Sequence, residues 1–182
     1  MILTVLIPAY NERHTLGPCL LKVAAALPHV EKEILIIDDC SRDGTREWLR
    51  AQSAAQGPQR GQLELDDDGN LRVVPGNGAF NLRVLYHEHN RGKGGALQSG
   101  LRSASGDVVV IQDADLEYDP NELPKLLVEA LKFDAAAVFG SRVLGGHARY
   151  KYRYAYLGVR VMTKIAAPDK PLEAHVRLGT ES

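Results

Sequence analysis

The sequence predicts an α/β domain built on a mostly parallel sheet with helices on both faces. Short apolar, β-branched runs alternate with segments of helical spacing, and the polar clusters fall directly after the apolar runs. Residues 2–7 read as a buried strand. Leu16, Leu20, Leu21 and Ala24 then recur at helical spacing, with Asn11 placed to cap that helix. Residues 33–37 form a second buried strand, ending at Asp38 and Asp39, and Ser41 or Asp43 caps a helix running to about Ala55. Residues 57–81 interrupt the rhythm. They are rich in Gly, Pro, Gln and Asp, and read as an exposed insertion, with 63–65 and 71–74 flanking the turn Asp68-Gly69-Asn70 as a hairpin. The alternation resumes with a strand at 82–87, a helix at 94–104 and an almost wholly apolar strand at 107–111. A helix opened by Pro120 and a last strand at 135–140 follow.

The chain has 182 residues, 45% of them hydrophobic and 25% charged, which suits one globular domain over 1–146 followed by a segment of different character. A net charge of −1 carries no nucleic-acid footprint. Two cysteines, Cys19 and Cys40, are too few for a disulfide scaffold and suit a reducing compartment as buried, inert thiols. The apolar stretch 1–10 lacks a basic leader and is broken by Pro8, so no signal peptide is expected. No run approaches the roughly 20 apolar residues of a membrane-spanning helix. Residues 145–168 hold five Lys or Arg and no acid, with Tyr150, Tyr152, Tyr154 and Tyr156 interleaved, then Leu157, Val161 and Ile165 at helical spacing. That pattern predicts a basic, amphipathic segment within 147–182, suited to a membrane surface.

Ligands of open α/β sheets bind beyond the carboxyl ends of the strands. Pro8-Ala9-Tyr10-Asn11-Glu12 follows the first strand, Asp38-Asp39 ends the second, and Asp113-Ala114-Asp115 follows the strand at 107–111. Convergent carboxylates there suit a hard cation such as Mg²⁺ or Mn²⁺, which uses one or two carboxylates and completes its shell with phosphate oxygens. Asp113, Asp115 and Glu117 are the candidate metal ligands. Lys93, between glycines, can bring its backbone close to a phosphate. The six histidines show no metal-ligand spacing and receive no role. A dinucleotide dehydrogenase is disfavoured, because no G-x-G-x-x-G follows the first strand. A sugar nucleotidyltransferase is disfavoured because Pro8-Ala9-Tyr10 stands where its Gly-rich loop would be.

Five ordered motifs carry a resemblance. They are Val5-Leu6-Ile7-Pro8-Ala9-Tyr10-Asn11-Glu12, Ile36-Ile37-Asp38-Asp39-Cys40-Ser41-Arg42-Asp43-Gly44-Thr45, Asn90-Arg91-Gly92-Lys93-Gly94-Gly95-Ala96, Gln112-Asp113-Ala114-Asp115-Leu116-Glu117 and Gly140-Ser141-Arg142. Together they resemble family 2 glycosyltransferases of the Rossmann-like GT-A fold, most closely the dolichyl- and polyprenyl-phosphate mannosyl- and glucosyltransferases. The resemblance spans residues 1 to about 165, and 168–182 lies outside it. It implies that Pro8, Ala9, Tyr10 and Glu12 line the base and ribose pocket and that Asp39 accepts a hydrogen bond from the nucleobase imide. Asp113 would sit near ribose or metal beside Ala114, Asp115 would ligate the metal, and Arg142 would reach the phosphates. Glu117 stands where many relatives have Gln.

The activity so implied is inverting transfer of a hexose from GDP-mannose or UDP-glucose to a polyprenyl or dolichyl phosphate. Catalysis would rest on Asp113, Asp115 and Arg142. A phosphate monoester already carries about −1.5 to −2 charge near neutrality, so it can attack without the general base a hydroxyl needs. The downstream base motif of hydroxyl-acceptor relatives and the Gln-x-x-Arg-Trp motif of processive synthases are both absent from this sequence. A transferase acting on a sugar hydroxyl, and a binding module without turnover, stay open as alternatives. The expected setting is cytoplasmic, peripheral on the cytoplasmic face of a membrane. A homo-oligomer is left open.

Overall fold

The computed structural model describes residues 1–133, 137–141 and 175–177, in two units, Met1–Leu123 and Pro124–Ser182. The expected boundary at 146 falls outside the described residues. The first unit contains strands β1 (Ile2–Ala9), β2 (Glu31–Asp38), β3 (Gly57–Leu65), β4 (Leu71–Tyr86) and β5 (Val108–Ile111). Its helices are α1 (Leu16–Ala25), α2 (Thr45–Ala51) and α3 (Gly92–Ser103). α4 (Leu123–Phe133) starts on its last residue, and the second unit adds a parallel pair, β6 (Phe139–Ser141) with β7 (His175–Arg177).

The sheet of the first unit runs β3-β4-β2-β1-β5. β4, β2, β1 and β5 are parallel and β3 is antiparallel. The period of two along β1 divides its side chains between two cores. Leu3, Val5 and Ile7 join Leu16, Leu20 and Val23 of α1 and Trp48 and Leu49 of α2 on one face. Leu6 joins Leu35, Ile37 and Ala96 of α3 on the other. Helices therefore cover both faces, as the alternation predicts. Two buried polar side chains hold the sheet's lower end. Lys32, 1% exposed, donates to the carbonyls of Ala26, Leu27 and Val30 at the end of α1. Burial pushes its amine down to about 8, so at neutral pH it remains the ammonium whose three N–H groups match three acceptors. Glu33 takes hydrogen bonds from Thr4, Arg83 and Ser105.

Several expectations change. The insertion at 57–81 is not a surface excursion. Its hairpin is longer than the sequence suggests, and its second strand runs unbroken into the one expected at 82–87, so β4 spans both. Leu63, Leu71 and Phe80 are in the core, and Trp48 Nε1 donates to the turn carbonyl of Gly69. Strand 107–111 is half exposed rather than buried. It is the sheet edge among the described residues, and Val109 and Ile111 are exposed on its outer face. Asn11 does not cap α1, which starts at Leu16, five residues later, behind Thr15. Neither Ser41 nor Asp43 is the cap residue of α2. That place falls to Gly44, while Asp43 accepts from the first helical N–H, that of Thr45. Pro120 opens a short 3₁₀ turn, Pro120–Glu122, ahead of α4.

Candidate functional site

The chain runs β1, β2, β4 in one direction across the sheet, then crosses through α3 to β5 on the other side of β1. The strand order reverses there, and a crevice opens between the diverging connections. The loops at its mouth are held by one another. Asn11 and Cys40 both adopt left-handed backbone, with φ of 60° and 65°. Asn11 N donates to Ser41 Oγ, and its own Oδ1 accepts from Arg42 N. Glu12 N donates to Thr45 Oγ1. The first motif's asparagine is thus a loop-to-loop staple.

A cavity with about 570 Å³ of empty space, partly open to solvent, lies at these strand ends. Its walls are Pro8, Ala9, Tyr10 and Glu12 after β1, Asp39 after β2, Lys93 and Ala96 from the start of α3, and Asp113, Ala114 and Asp115 after β5. Apart from Arg142, which lies outside the described residues, the residues expected at the nucleotide all fall on this wall, with Ala96 in addition. Tyr10 is 46% exposed at this wall, so its ring has an open face. Glu12 is engaged by the Thr15 hydroxyl.

The two aspartates that end β2 separate. Asp38 is buried in an ion pair with Arg46. Asp39 lines the cavity, although only 3% of it is exposed. Its Oδ1 meets His87 Nδ1 at 2.6 Å and accepts from Arg91 N at 2.9 Å. Across the cavity, Lys93 Nζ lies 2.6 and 2.8 Å from the two carboxylate oxygens of Asp113. Asp115 is exposed, and its Oδ1 accepts from Glu117 N in a tight turn. Beneath them Cys19 Sγ points to the Asp113 carbonyl. Burial, with the charges of Asp115 and Glu12, pushes this thiol up to about 12, so it stays protonated and inert.

The donor set fits a divalent cation in part. Asp113 already holds a cationic group, the Lys93 ammonium, on both oxygens, and Asp115 lies on the same wall. Two carboxylates with room for phosphate oxygens are what Mg²⁺ or Mn²⁺ uses. Glu117, expected as a third ligand, is not on the cavity wall. Among the described residues no three His, Cys, Asp or Glu side chains are grouped to hold a metal. Arg142, expected at the phosphates, lies outside the described residues. His87 is the residue that sequence reasoning missed. The register that pairs Asp38 with Tyr86 puts the next residues, Asp39 and His87, side by side, which a search for metal spacing does not detect.

Comparison with known proteins agrees with this geometry. The family model "Glycosyl transferase family 2" matches residues 4–181, further than the five motifs reach and including the tail expected to fall outside. The chain is 32% identical over 146 residues to the dolichol-phosphate mannosyltransferase of Pyrococcus furiosus, covering 80% of this chain and 34% of that protein. It is 30% identical over 170 residues to the undecaprenyl-phosphate 4-deoxy-4-formamido-L-arabinose transferase of Pseudomonas fluorescens, covering 91% and 43%. The chain therefore spans less than half the length of these relatives. The crystal structure of S. aureus TarS shares the fold, with a TM-score of 0.56 at 21% identity, covering 84% of this chain and 23% of that one. With a family match across nearly its whole length and a sheet of the GT-A type, the chain belongs to glycosyl transferase family 2.

Proposed function

We propose that this domain transfers a hexose, with inversion, from a nucleoside diphosphate sugar to a polyprenyl phosphate at a membrane surface. The observation that carries the reading is the cavity wall itself. An exposed aromatic ring (Tyr10), a buried acceptor (Asp39), a cation (Lys93) and two carboxylates (Asp113 and Asp115) face one space. Tyr10 and Asp39 suit a base, and Lys93 suits a diphosphate. The names of both relatives carry a polyprenyl phosphate acceptor, which supports the same assignment here.

Asp113 and Asp115 would hold Mg²⁺ or Mn²⁺, which when bound neutralises the diphosphate and stabilises the leaving group. Lys93 reaches Asp113 with an exposed side chain and is free to turn toward a phosphate. Arg142 is assigned to the phosphates by the resemblance. No cavity residue is assigned as a base, since a phosphate monoester attacks as the anion it already is. The donor is GDP-mannose or UDP-glucose in this reading, and the acceptor side belongs to the cytoplasmic face.

The test is a transfer assay with purified protein, each labelled donor, Mn²⁺ and a detergent-dispersed polyprenyl phosphate. Label moving into lipid from one donor, but not into free polyprenol, is the expected result. Transfer only to sugar hydroxyls would replace this reading with the hydroxyl-acceptor alternative. Donor binding without any turnover would make the chain a binding module.

A further inference from the structure

Four residues behind the cavity close into a ring, three through their side chains and Arg91 through both its side chain and its backbone N–H. Asp39 Oδ1 meets His87 Nδ1 at 2.6 Å, and His87 Nε2 meets Ser99 Oγ at 2.9 Å. Arg91 Nη1 donates to the same Ser99 Oγ at 3.2 Å, and Arg91 N donates back to Asp39 Oδ1 at 2.9 Å. Donor and acceptor chemistry fixes three of the four directions, and the fourth, between His87 and Ser99, runs from the hydroxyl when the imidazole is neutral. A carboxylate only accepts, so His87 carries its hydrogen on Nδ1. A guanidinium only donates, so the Ser99 hydroxyl hydrogen is free to go to His87 Nε2. All four contacts are satisfied at once, in sites only 9% exposed at His87 and 3% at Asp39. The Asp39–His87 bond is the buried part of the ring, where a satisfied pair is held rigidly, while Arg91 closes the ring from the exposed side. Asn90 Nδ2 adds a bond to the Asp39 carbonyl.

Both donors to the Asp39 carboxylate fall on Oδ1. Oδ2 takes no hydrogen bond from any described residue, and Asp39 lines the cavity. Ser99 is not on the cavity wall, so the series Asp39, His87, Ser99 is not a nucleophilic triad facing a substrate. We infer that His87, braced by Ser99 and Arg91, is a positioning residue for nucleobase selection. It holds Asp39 so that Oδ2 is presented to the ligand as a fixed acceptor. This rests on the nucleotide reading of the cavity. The chemistry it selects is a base edge carrying an imide N–H, as in uracil or guanine. Adenine and cytosine offer no such hydrogen there.

Calorimetry on the purified chain with Mn²⁺ and UDP, GDP, ADP, CDP or pyrophosphate tests it, in the parent, His87→Phe, His87→Gln and Ser99→Ala. The parent should prefer UDP or GDP over ADP and CDP. His87→Phe should weaken that preferred nucleotide about tenfold or more, the scale of losing a bond to a charged group. Pyrophosphate affinity should stay within about twofold, so the preference over ADP collapses. His87→Gln, which can donate to Asp39 and accept from Ser99, should recover much of it. A purely structural role would lower pyrophosphate binding in step and show no rescue by Gln. A parent that binds ADP as well as UDP and GDP removes the base reading of Asp39, and the inference with it. A parent that discriminates, with His87→Phe discriminating equally, leaves the base reading standing and overturns the role of His87. Should His87→Phe fail to fold, Ser99→Ala decides, since it deletes one hydroxyl from a half-exposed helix position. A several-fold loss of preference supports the inference, and an unchanged preference overturns it.

Discussion

Asp115 is exposed, and its hydrogen bond among the described residues is with Glu117 N in the turn. Asp115→Asn should therefore leave the thermal midpoint within a degree or two of the parent. It should weaken Mn²⁺-dependent nucleotide binding roughly tenfold or more, since one charged ligand is lost. Calorimetry with and without Mn²⁺ checks this, and equal affinities would remove Asp115 from the metal. Glu33 is the opposite case, a buried carboxylate far from the cavity. Burial alone would raise its carboxyl above the ordinary glutamate value. The N–H of Ser105, the Thr4 hydroxyl, the Arg83 guanidinium and the Ser105 hydroxyl outweigh burial and hold it below that value. A carboxyl depressed by folding contributes stability that is fully present above its unfolded value and is lost as pH falls through the folded one. Glu33→Gln should cost about 1–3 kcal/mol at neutral pH, the scale of a broken buried network. Its urea midpoint should fall less steeply than the parent's below pH 4.5. Parallel pH profiles would show that Glu33 is not the group lost in acid.

Among the elements, α3 does the most to place the site. Its first turn carries Lys93 and Ala96, and its body carries Ser99. It approaches the sheet at Gly100, where a Cβ would come within 2.5 Å of Leu6 Cδ1 and 2.9 Å of Ile37 Cδ1. A methyl group there forces the helix outward or two core side chains off their rotamers. Gly100→Ala should cost about 1–3 kcal/mol despite its better helix propensity. The same shift should loosen nucleotide binding through Lys93, so affinity and stability should fall together. A variant as stable as the parent would mean that α3 has room the packing does not show. The strand sequence of this layer was legible, because apolar runs of β1 and β2 alternate faces. The hairpin's turn and its inner pairing, Leu63 to Leu65 against Leu71 to Val73, were legible too, but its full length was not. Gly76 and Gly78 count toward the Gly-rich composition that made 57–81 read as an insertion, yet inside β4 they lie where the strand crosses closely over Gln62 and Gly61. Composition alone cannot separate a loop glycine from one that a neighbouring strand requires.

At the scale of the molecule, the proposed membrane contact rests on the sequence of residues 145–168. Five basic residues, no acid and four tyrosines suit an anionic bilayer surface, at about 1 kcal/mol per basic residue near the lipid. Among the described residues no helix is long and apolar enough to cross a membrane. Sedimentation with phosphatidylserine-containing vesicles should therefore show binding at low salt that fades at high salt. Replacing Arg149, Lys151 and Arg153 by Gln should weaken it. Absence of low-salt binding, or binding indifferent to those replacements, would take the membrane role from this segment.

The sequence by itself determined the α/β layering, the strand ends that carry polar residues, and the family, because periodicity and ordered motifs are local properties of the chain. Tertiary structure decided how those residues divide their work. Asp38 and Asp39 are adjacent and chemically identical, yet the first, the last residue of β2, pairs with Arg46, and the second, just past it, lines the cavity. Asp113 and Asp115 share the wall, while Glu117, two residues on, does not reach it. His87 acquires a role only because parallel register sets it beside Asp39, and α3, packed against the sheet through Gly100, brings Ser99 to its far nitrogen. Residues 48 and 12 positions apart in sequence meet through these packings, and no local pattern encodes such a meeting.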